Sequence, residues 1–341
     1  MQIGLAMKKM KDILLSGRRI FATIGLAVIA AGCIDEDLSD CGMEFSINYS
    51  LRLTTNMHAE IEEELKSLHH KTLGERLKKE LNNVFNNHAH DIMLSFFRQD
   101  STLHHYEYDE PNHSSASYTI YLPIEDYIHT AVANEGEETA VTMSGSDDAR
   151  THSLIHTTTD TLESHTTGIY TARQEISVAG VSATFDVPLY MQNCATALVI
   201  DPKSVPVKSI RAVVSGMANG FHLQDSLYTY RSESVLRMKE LTDTGSPLYC
   251  LYGVGFPTRN EIVSTRSDDK PYIWRMHVYV TLTGGKTTAN TLYMTTPLKA
   301  GSLDVVKATL NDEGVTIPDD PKVGVSIELN WKPGGEYDQE I

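Results

Sequence analysis

The chain is poor in tryptophan, cysteine and positive charge, and it holds one apolar run of any length. Its 341 residues include two Trp, four Cys and 29 Lys or Arg against 45 Asp or Glu, for a formal net charge of −16. So acidic a surface repels phosphate backbones and anionic headgroups, which excludes a nucleic-acid partner. No CxxC pair and no Cys/His run at zinc-finger spacing occurs, and HExxH is missing. GxSxG is missing too; "MSGSDD" and "VSGMANG" come nearest without the spacing. Gly-rich phosphate loops and the dinucleotide fingerprint are absent. Paired carboxylates of the glycosidase kind leave no sequence mark, because their separation is a tertiary property. No catalytic motif survives this survey.

The apolar run is Ile20 to Ala31, preceded by Lys8, Lys9, Lys11, Arg18 and Arg19. It is too short for a spanning helix, which needs about 20 residues. A basic segment, a short apolar segment and small residues before a cleavage point describe a secretory signal peptide over 1–32, with Met7 as an alternative start. Cleavage after Gly32 leaves Cys33 first. "AAGC" resembles a bacterial lipobox, with Ala30 where Leu is usual. On that reading the Cys33 thiol carries diacylglycerol, and each buried methylene contributes about 0.8 kcal/mol to membrane binding. The plainer alternative is an ordinary signal peptide with an incidental Cys33. Asp35, Glu36 and Asp37 follow without a cation; they resemble the surface-export signal of Bacteroidota lipoproteins and serve equally as a solvated tether over 33–42. Loss of residues 1–32 removes five cations and one anion, taking the charge to −20.

The 309 residues that then remain suit two domains. "MEFSINYSLRL" (43–53) alternates with period two and reads as a half-buried strand. Residues 58–86 change to helical spacing, with Ile61, Leu65, Leu68, Leu77, Leu81, Val84 and Phe85 on one stripe; this predicts a long amphipathic helix packed on a sheet. Strand patterns return at 91–97, 118–122, 127–133 and 181–191, while 134–168 reads as loops with one short strand at Thr139–Met143. A domain boundary is placed near Val187-Pro188, dividing 43–187 from 188–341. The second half offers strands at 194–201, 209–217, 246–256, 272–285, 290–298 and 323–331, with Gly284-Gly285 as a hairpin turn. Strands at this density argue for β-sandwiches.

Twelve of fourteen histidines lie between His58 and His165. His88 and His90 would point one way if extended, but a tight zinc site needs three or four ligands, so no metal site is assigned. Solvated or capping roles are expected for the histidines. The acidic loop 312–320 lacks EF-hand order and reads as a turn. With Cys33 lipidated, Cys41, Cys194 and Cys250 remain; Cys194–Cys250 is the preferred disulfide, with free buried thiols as the alternative.

"AAGCIDEDLSDC", "HAHDIMLSFF", "YTIYLPIEDYIHTAVAN" and "CATALVIDPKSVPVKSIRAVVSGMANGFHLQDSLYTY" together resemble FimB-type fimbrial anchor lipoproteins of the type V pili of Bacteroidota. The matching landmarks are Cys33, Asp37-Leu38-Ser39 and Cys41, and the resemblance runs with gaps from Cys33 to about Leu298. It implies a mainly β fold of two tandem transthyretin-like (Greek-key) β-sandwich domains, the helix being inserted in the first. It also implies a non-catalytic protein without cofactor, held in the outer membrane by the acylated Cys33. Its partner would be a pilin subunit, joined by β-strand exchange, an arrangement that would also limit fimbrial length. Two rival readings share the anchor: a surface glycan-binding lipoprotein and a fimbrial tip adhesin. The two tryptophans, Trp274 and Trp331, sit in alternating patterns that predict burial, which weighs against a glycan-stacking platform.

Overall fold

Period-two alternation builds almost everything in the computed structural model, which describes residues 43–52, 71–179, 182–231, 234–242, 245–263, 270–320 and 323–328. Strand β1 (Met43–Arg52) precedes the one described helix, α1 (Lys71–Asn82). Then come β2 (Ile92–Arg98), β3 (Leu103–Asp109), β4 (Ser115–Leu122), β5 (Asp126–Ala133), β6 (Val141–Ser144), β7 (Ser153–His156), β8 (Thr161–Leu162), β9 (Tyr170–Ser177) and β10 (Thr184–Met191). The second half holds β11 (Cys194–Asp201), β12 (Val207–Ser215), β13 (Gly220–His222), β14 (Leu227–Thr229), β15 (Val235–Arg237) and β16 (Lys239–Glu240). It ends with β17 (Tyr249–Gly255), β18 (Trp274–Leu282), β19 (Thr287–Met294), β20 (Leu303–Leu310), β21 (Thr316–Pro318) and β22 (Gly324–Glu328).

These strands form four sheets. One has seven strands in the order β3-β2-β5-β9-β10-β1-β4, one five (β16-β17-β11-β20-β21), one six (β22-β19-β18-β12-β15-β8) and one four (β14-β13-β7-β6). Strands from either side of residue 188 share two of them: β8 joins the six-stranded sheet, and β6 and β7 pair into the sheet of β13 and β14.

Two main cores stack in the molecule. The first gathers Phe45, Ile47, Tyr49, Leu94 and Phe96 from the seven-stranded sheet, Leu73, Leu77 and Leu81 from α1, and Ala197, Val199 and Val254 from the five-stranded sheet. The second lies between the five- and six-stranded sheets, where Trp274, Met276, Val278 and Val280 line one face of β18 as the alternation predicts. Strands β11 and β20 serve both cores, one on each face. Val305 packs into the first and Val306 into the second. Double burial erases period two, which is why "LDVVKATL" does not read as a strand.

The helix is shorter than expected at its end. Residues 58–70, with Ile61, Leu65 and Leu68, lie outside the described residues. At the other end, helical spacing continues to Phe85 but α1 stops at Asn82. The Asn86 side-chain amide donates to the carbonyls of Asn82 and Asn83, at 3.2 and 2.9 Å, and so takes up two otherwise orphaned acceptors. Val84 and Phe85 remain buried in the turn that follows. Strand β18 meets β19 through a turn in which Gly285 adopts φ +83, as Gly284-Gly285 predicts. Among the described residues no helix is long and apolar enough to cross a membrane.

Candidate functional site

Cys33, Asp35, Glu36, Asp37 and Cys41 lie outside the described residues. Cys194 and Cys250 lie within them, and the expected disulfide between them is corrected: both are free, buried thiols. The register explains it. Cys250 pairs with Val199, five positions along β11 from Cys194. At about 3.4 Å per residue the two are roughly 17 Å apart along the strand, far beyond disulfide reach. An odd offset also sends their side chains to opposite faces, Cys194 into the second core and Cys250 into the first. Burial pushes the Cys250 thiol up to about 12 and Cys194 higher still.

The last described strand, β22, closes one edge of the six-stranded sheet. It pairs antiparallel with β19 from Ala289↔Glu328 to Tyr293↔Gly324. Beside its start a cleft of about 450 Å3 opens between the end of β19 and β20, with Met294, Thr296, Val305, Val306 and Val323 on its walls. Strand β21 covers β20 only from Ala308 to Leu310. Among the described residues β22 is thus held by one neighbouring strand and flanked by a partly apolar trough. That arrangement can accept or release an extended segment, because any strand edge offers a row of backbone donors and acceptors.

The histidines depart from expectation. His129, His152, His156 and His165 are buried, not solvated. His129 stacks on Phe96 and shares a 2.7 Å hydrogen bond between its Nε2 and the Tyr49 hydroxyl. The amide of Ile169 donates to Asn193 Oδ1 at 2.6 Å, so Asn193 Nδ2 faces His165 Nδ1 at 2.7 Å. His165 therefore carries its proton on Nε2 and donates it to His156 Nε2 at 3.2 Å. Burial is the largest cause lowering all four, to about 4 for His129 and His152 and about 3 for His156 and His165. They are neutral packing groups near pH 7. His88 and His90 have rings 4.6 Å apart, and among the described residues no group of three His, Cys, Asp or Glu converges as a metal would require.

The fold recurs in known structures. The chain overlays a candidate adhesin from Bacteroides ovatus with a TM-score of 0.51 at 9% identity, covering 86% of this chain and 97% of that one. The two chains share a fold. A candidate polysaccharide-binding protein from Bacteroides thetaiotaomicron follows with a TM-score of 0.48, 9% identity and coverage of 84% and 98%. The fimbrial anchor protein Mfa2 of Porphyromonas gingivalis is also among the neighbours, with a TM-score of 0.46, 10% identity and coverage of 84% and 99%. No protein-family model and no curated protein matches the chain in sequence.

Sequence reasoning missed β3, β9 and β20, and it missed that 134–168 is built into the molecule through Glu138. That buried carboxylate accepts from the amides of Ala140, Thr166 and Thr167 at 2.7–2.9 Å. Polar loops with a lone carboxylate carry no periodic signal, so composition gave no means of finding it.

Proposed function

We propose that the chain is a fimbria-associated surface lipoprotein of the bacterial envelope, non-enzymatic, held in the outer membrane by acylated Cys33. Its two sandwich lobes, 43–187 and 188–341, are of the transthyretin-like kind, with α1 inserted in the first. It anchors a fimbrium by β-strand exchange with a pilin subunit, and occupancy of the exchange site limits fimbrial length. The carrying observation is β22, an edge strand at the C-terminal end of the described chain that, among the described residues, pairs with β19 alone. Its departure would leave the outer edge of β19 open to an incoming strand, whose alternate side chains would meet the trough beside Met294 and Val306.

The lipobox-like "AAGC" and the acidic residues after it support the membrane end of this reading. Trp274, a natural candidate for stacking sugar rings, instead lies buried with its indole N–H donating to the Thr296 carbonyl at 2.8 Å. That favours the anchor over the glycan-binding alternative. A retained lipid favours the base of a fibre over its tip.

Two variants test the reading in the native host. Cys33→Ser should release the protein from the outer-membrane fraction, and deletion of 323–341 should leave it membrane-bound but without co-purifying pilin. Pilin retained by the deletion variant sinks strand exchange through β22; membrane retention of Cys33→Ser sinks the anchor.

A further inference from the structure

One end of the seven-stranded sheet shows apolar side chains to solvent, and it is the end at which the chain enters β1. Met43, the first residue of β1, pairs with Leu122, the last of β4, and Glu44 pairs with Tyr121. Three turns close the same end: 99–102 after β2, 123–125 after β4 and 178–183 after β9. Their common place follows from the register, which sets Arg98 beside Tyr127 and Asp126 beside Ser177. Here Tyr121 and Ile124 are each 61% exposed.

Neither side chain can fold back onto the core. Ile120 and Leu122 take the buried face of β4, so alternation sends Tyr121 outward. The turn that carries Ile124 is pinned on both sides. The Tyr127 hydroxyl donates to the Pro123 carbonyl at 3.3 Å, the Val178 amide to the Glu125 carbonyl at 3.0 Å, and Arg98 Nε to the Glu125 carboxylate at 3.1 Å. The space beneath is already filled by Leu122 and Tyr127, both fully buried.

An isoleucine and a tyrosine held in water gain by reaching an apolar phase, and tyrosine favours a boundary where its ring is buried and its hydroxyl stays wet. The chain itself sets which phase is near. Cys33 precedes Met43 by ten residues, so an acylated Cys33 keeps the start of β1 within about 35 Å of the bilayer. Charge decides the kind of surface. Arg98 is paired with Glu125, and Arg150 with Asp148, which the bridge Thr102↔Asp148 holds at this end. Asp100 and Asp126 stand exposed beside them. Among the described residues this end thus offers no positive excess to anionic headgroups, and zwitterionic lipid suits it better.

We propose that this end of the sheet rests on zwitterionic lipid, with Ile124 and the Tyr121 ring in the boundary between headgroups and acyl chains. The contact deepens the lipoprotein reading and rests on it: acyl chains on Cys33 hold the protein, and the turn at Ile124 fixes which way it stands. The opposite end of the sheet, where Met191 leads into the second half, then points away from the bilayer.

The test couples the mature chain 33–341, carrying Cys41→Ser, through its Cys33 thiol to a maleimide lipid in phosphatidylcholine nanodiscs doped with a gadolinium-headgroup lipid. Cys194 and Cys250 are buried and do not compete. Chemical coupling replaces native acylation, so the outcome is independent of whether the host lipidates Cys33; fractionation of Cys33→Ser answers that separately. Paramagnetic broadening is read at the Glu125 amide and at that of Asn134, which lies past the other end of β5, about 27 Å from Asp126. Broadening at least fivefold larger at Glu125 is expected, falling at least threefold when Tyr121→Ser and Ile124→Ser are combined. Both side chains are exposed, so that variant should keep its Tm. Equal broadening at the two amides overturns the proposal, as does broadening at Glu125 that the double variant leaves intact. So does an effect that grows when phosphatidylglycerol replaces half of the phosphatidylcholine, which would mark an electrostatic contact instead.

Discussion

The Nε2 atoms of His156 and His165 lie 3.2 Å apart, buried, with both rings edge-on to Phe256. The pair joins a segment of polar loops to the end of β17, because the His165 amide also donates to the Val254 carbonyl at 2.9 Å. With Asn193 donating to His165 Nδ1 and His165 Nε2–H donating to His156 Nε2, both rings are neutral. Glu138 and Lys239 are the charged groups near them, the first favouring the imidazolium of His156 and the second opposing that of His165.

Stability should therefore depend on pH in a defined window. Desolvation lowers buried His129 and His152 and half-buried His277 to about 4 and buried His156 and His165 to about 3, against 6.5 in the unfolded chain. Between those values the unfolded state binds more protons, so the stabilisation is complete above about pH 6.5 and falls as pH drops toward 4. Each histidine contributes a slope of up to about 1.4 kcal/mol per pH unit. Asp91, its pKa raised by burial, works weakly in the opposite sense. Urea unfolding at pH 7.5, 6 and 5 measures this; equal stability at all three contradicts the assignment, since ordinary carboxylates scarcely titrate there.

Gly168→Ala should be severely destabilising. A Cβ at this position would clash with the Val84 carbonyl oxygen, a backbone atom that cannot swing aside. A loss of about 2–4 kcal/mol is expected. Gly284→Ala is the control, because nothing lies within 4 Å of its Cβ position and its change should stay within about 0.5 kcal/mol. Similar melting temperatures for both variants would count against the close approach.

Asn193→Leu should cost about 2–4 kcal/mol, because it strands the Ile169 amide and removes the donor that sets the His165 tautomer. Its chemical-denaturation midpoint should fall with little change in m-value. In NMR spectra the His165 Nε2–H resonance should broaden or vanish. A sharp resonance in the variant would show that the tautomer is set elsewhere.

Cys194 and Cys250 should resist alkylation in the native protein and react fully once it is unfolded, since only the exposed thiolate is nucleophilic. Dithiothreitol should leave the melting temperature unchanged. A drop on reduction would point to a bridge that the register forbids.

Much of the strand map was legible because half-buried strands must alternate. Trp274 to Val280 announced its face, and "CATALVID" was read with the bounds of β11. The misses have physical causes. β3 lies at a sheet edge and shows only partly buried or exposed side chains, so "LHHYEYD" lacks an apolar face. Strand β20 is buried on both faces and has no polar one. The histidines looked like surface residues because a neutral imidazole can be packed wherever a hydroxyl, amide or carbonyl meets it, and Tyr49, Asn193 and Ser95 are remote in sequence.

Local chemistry, written in consecutive residues, supplied the expectation of a leader with basic and apolar segments, the lipobox-like Cys33, the acidic stretch after it and the strand-rich character of the rest. What only tertiary structure decided were relations between distant residues: which strands pair, that Cys194 and Cys250 face opposite cores, and that Tyr121 and Ile124 stand exposed at the end where β1 begins. Hydropathy and spacing act along the chain, whereas register and burial depend on which segments the chain brings back together.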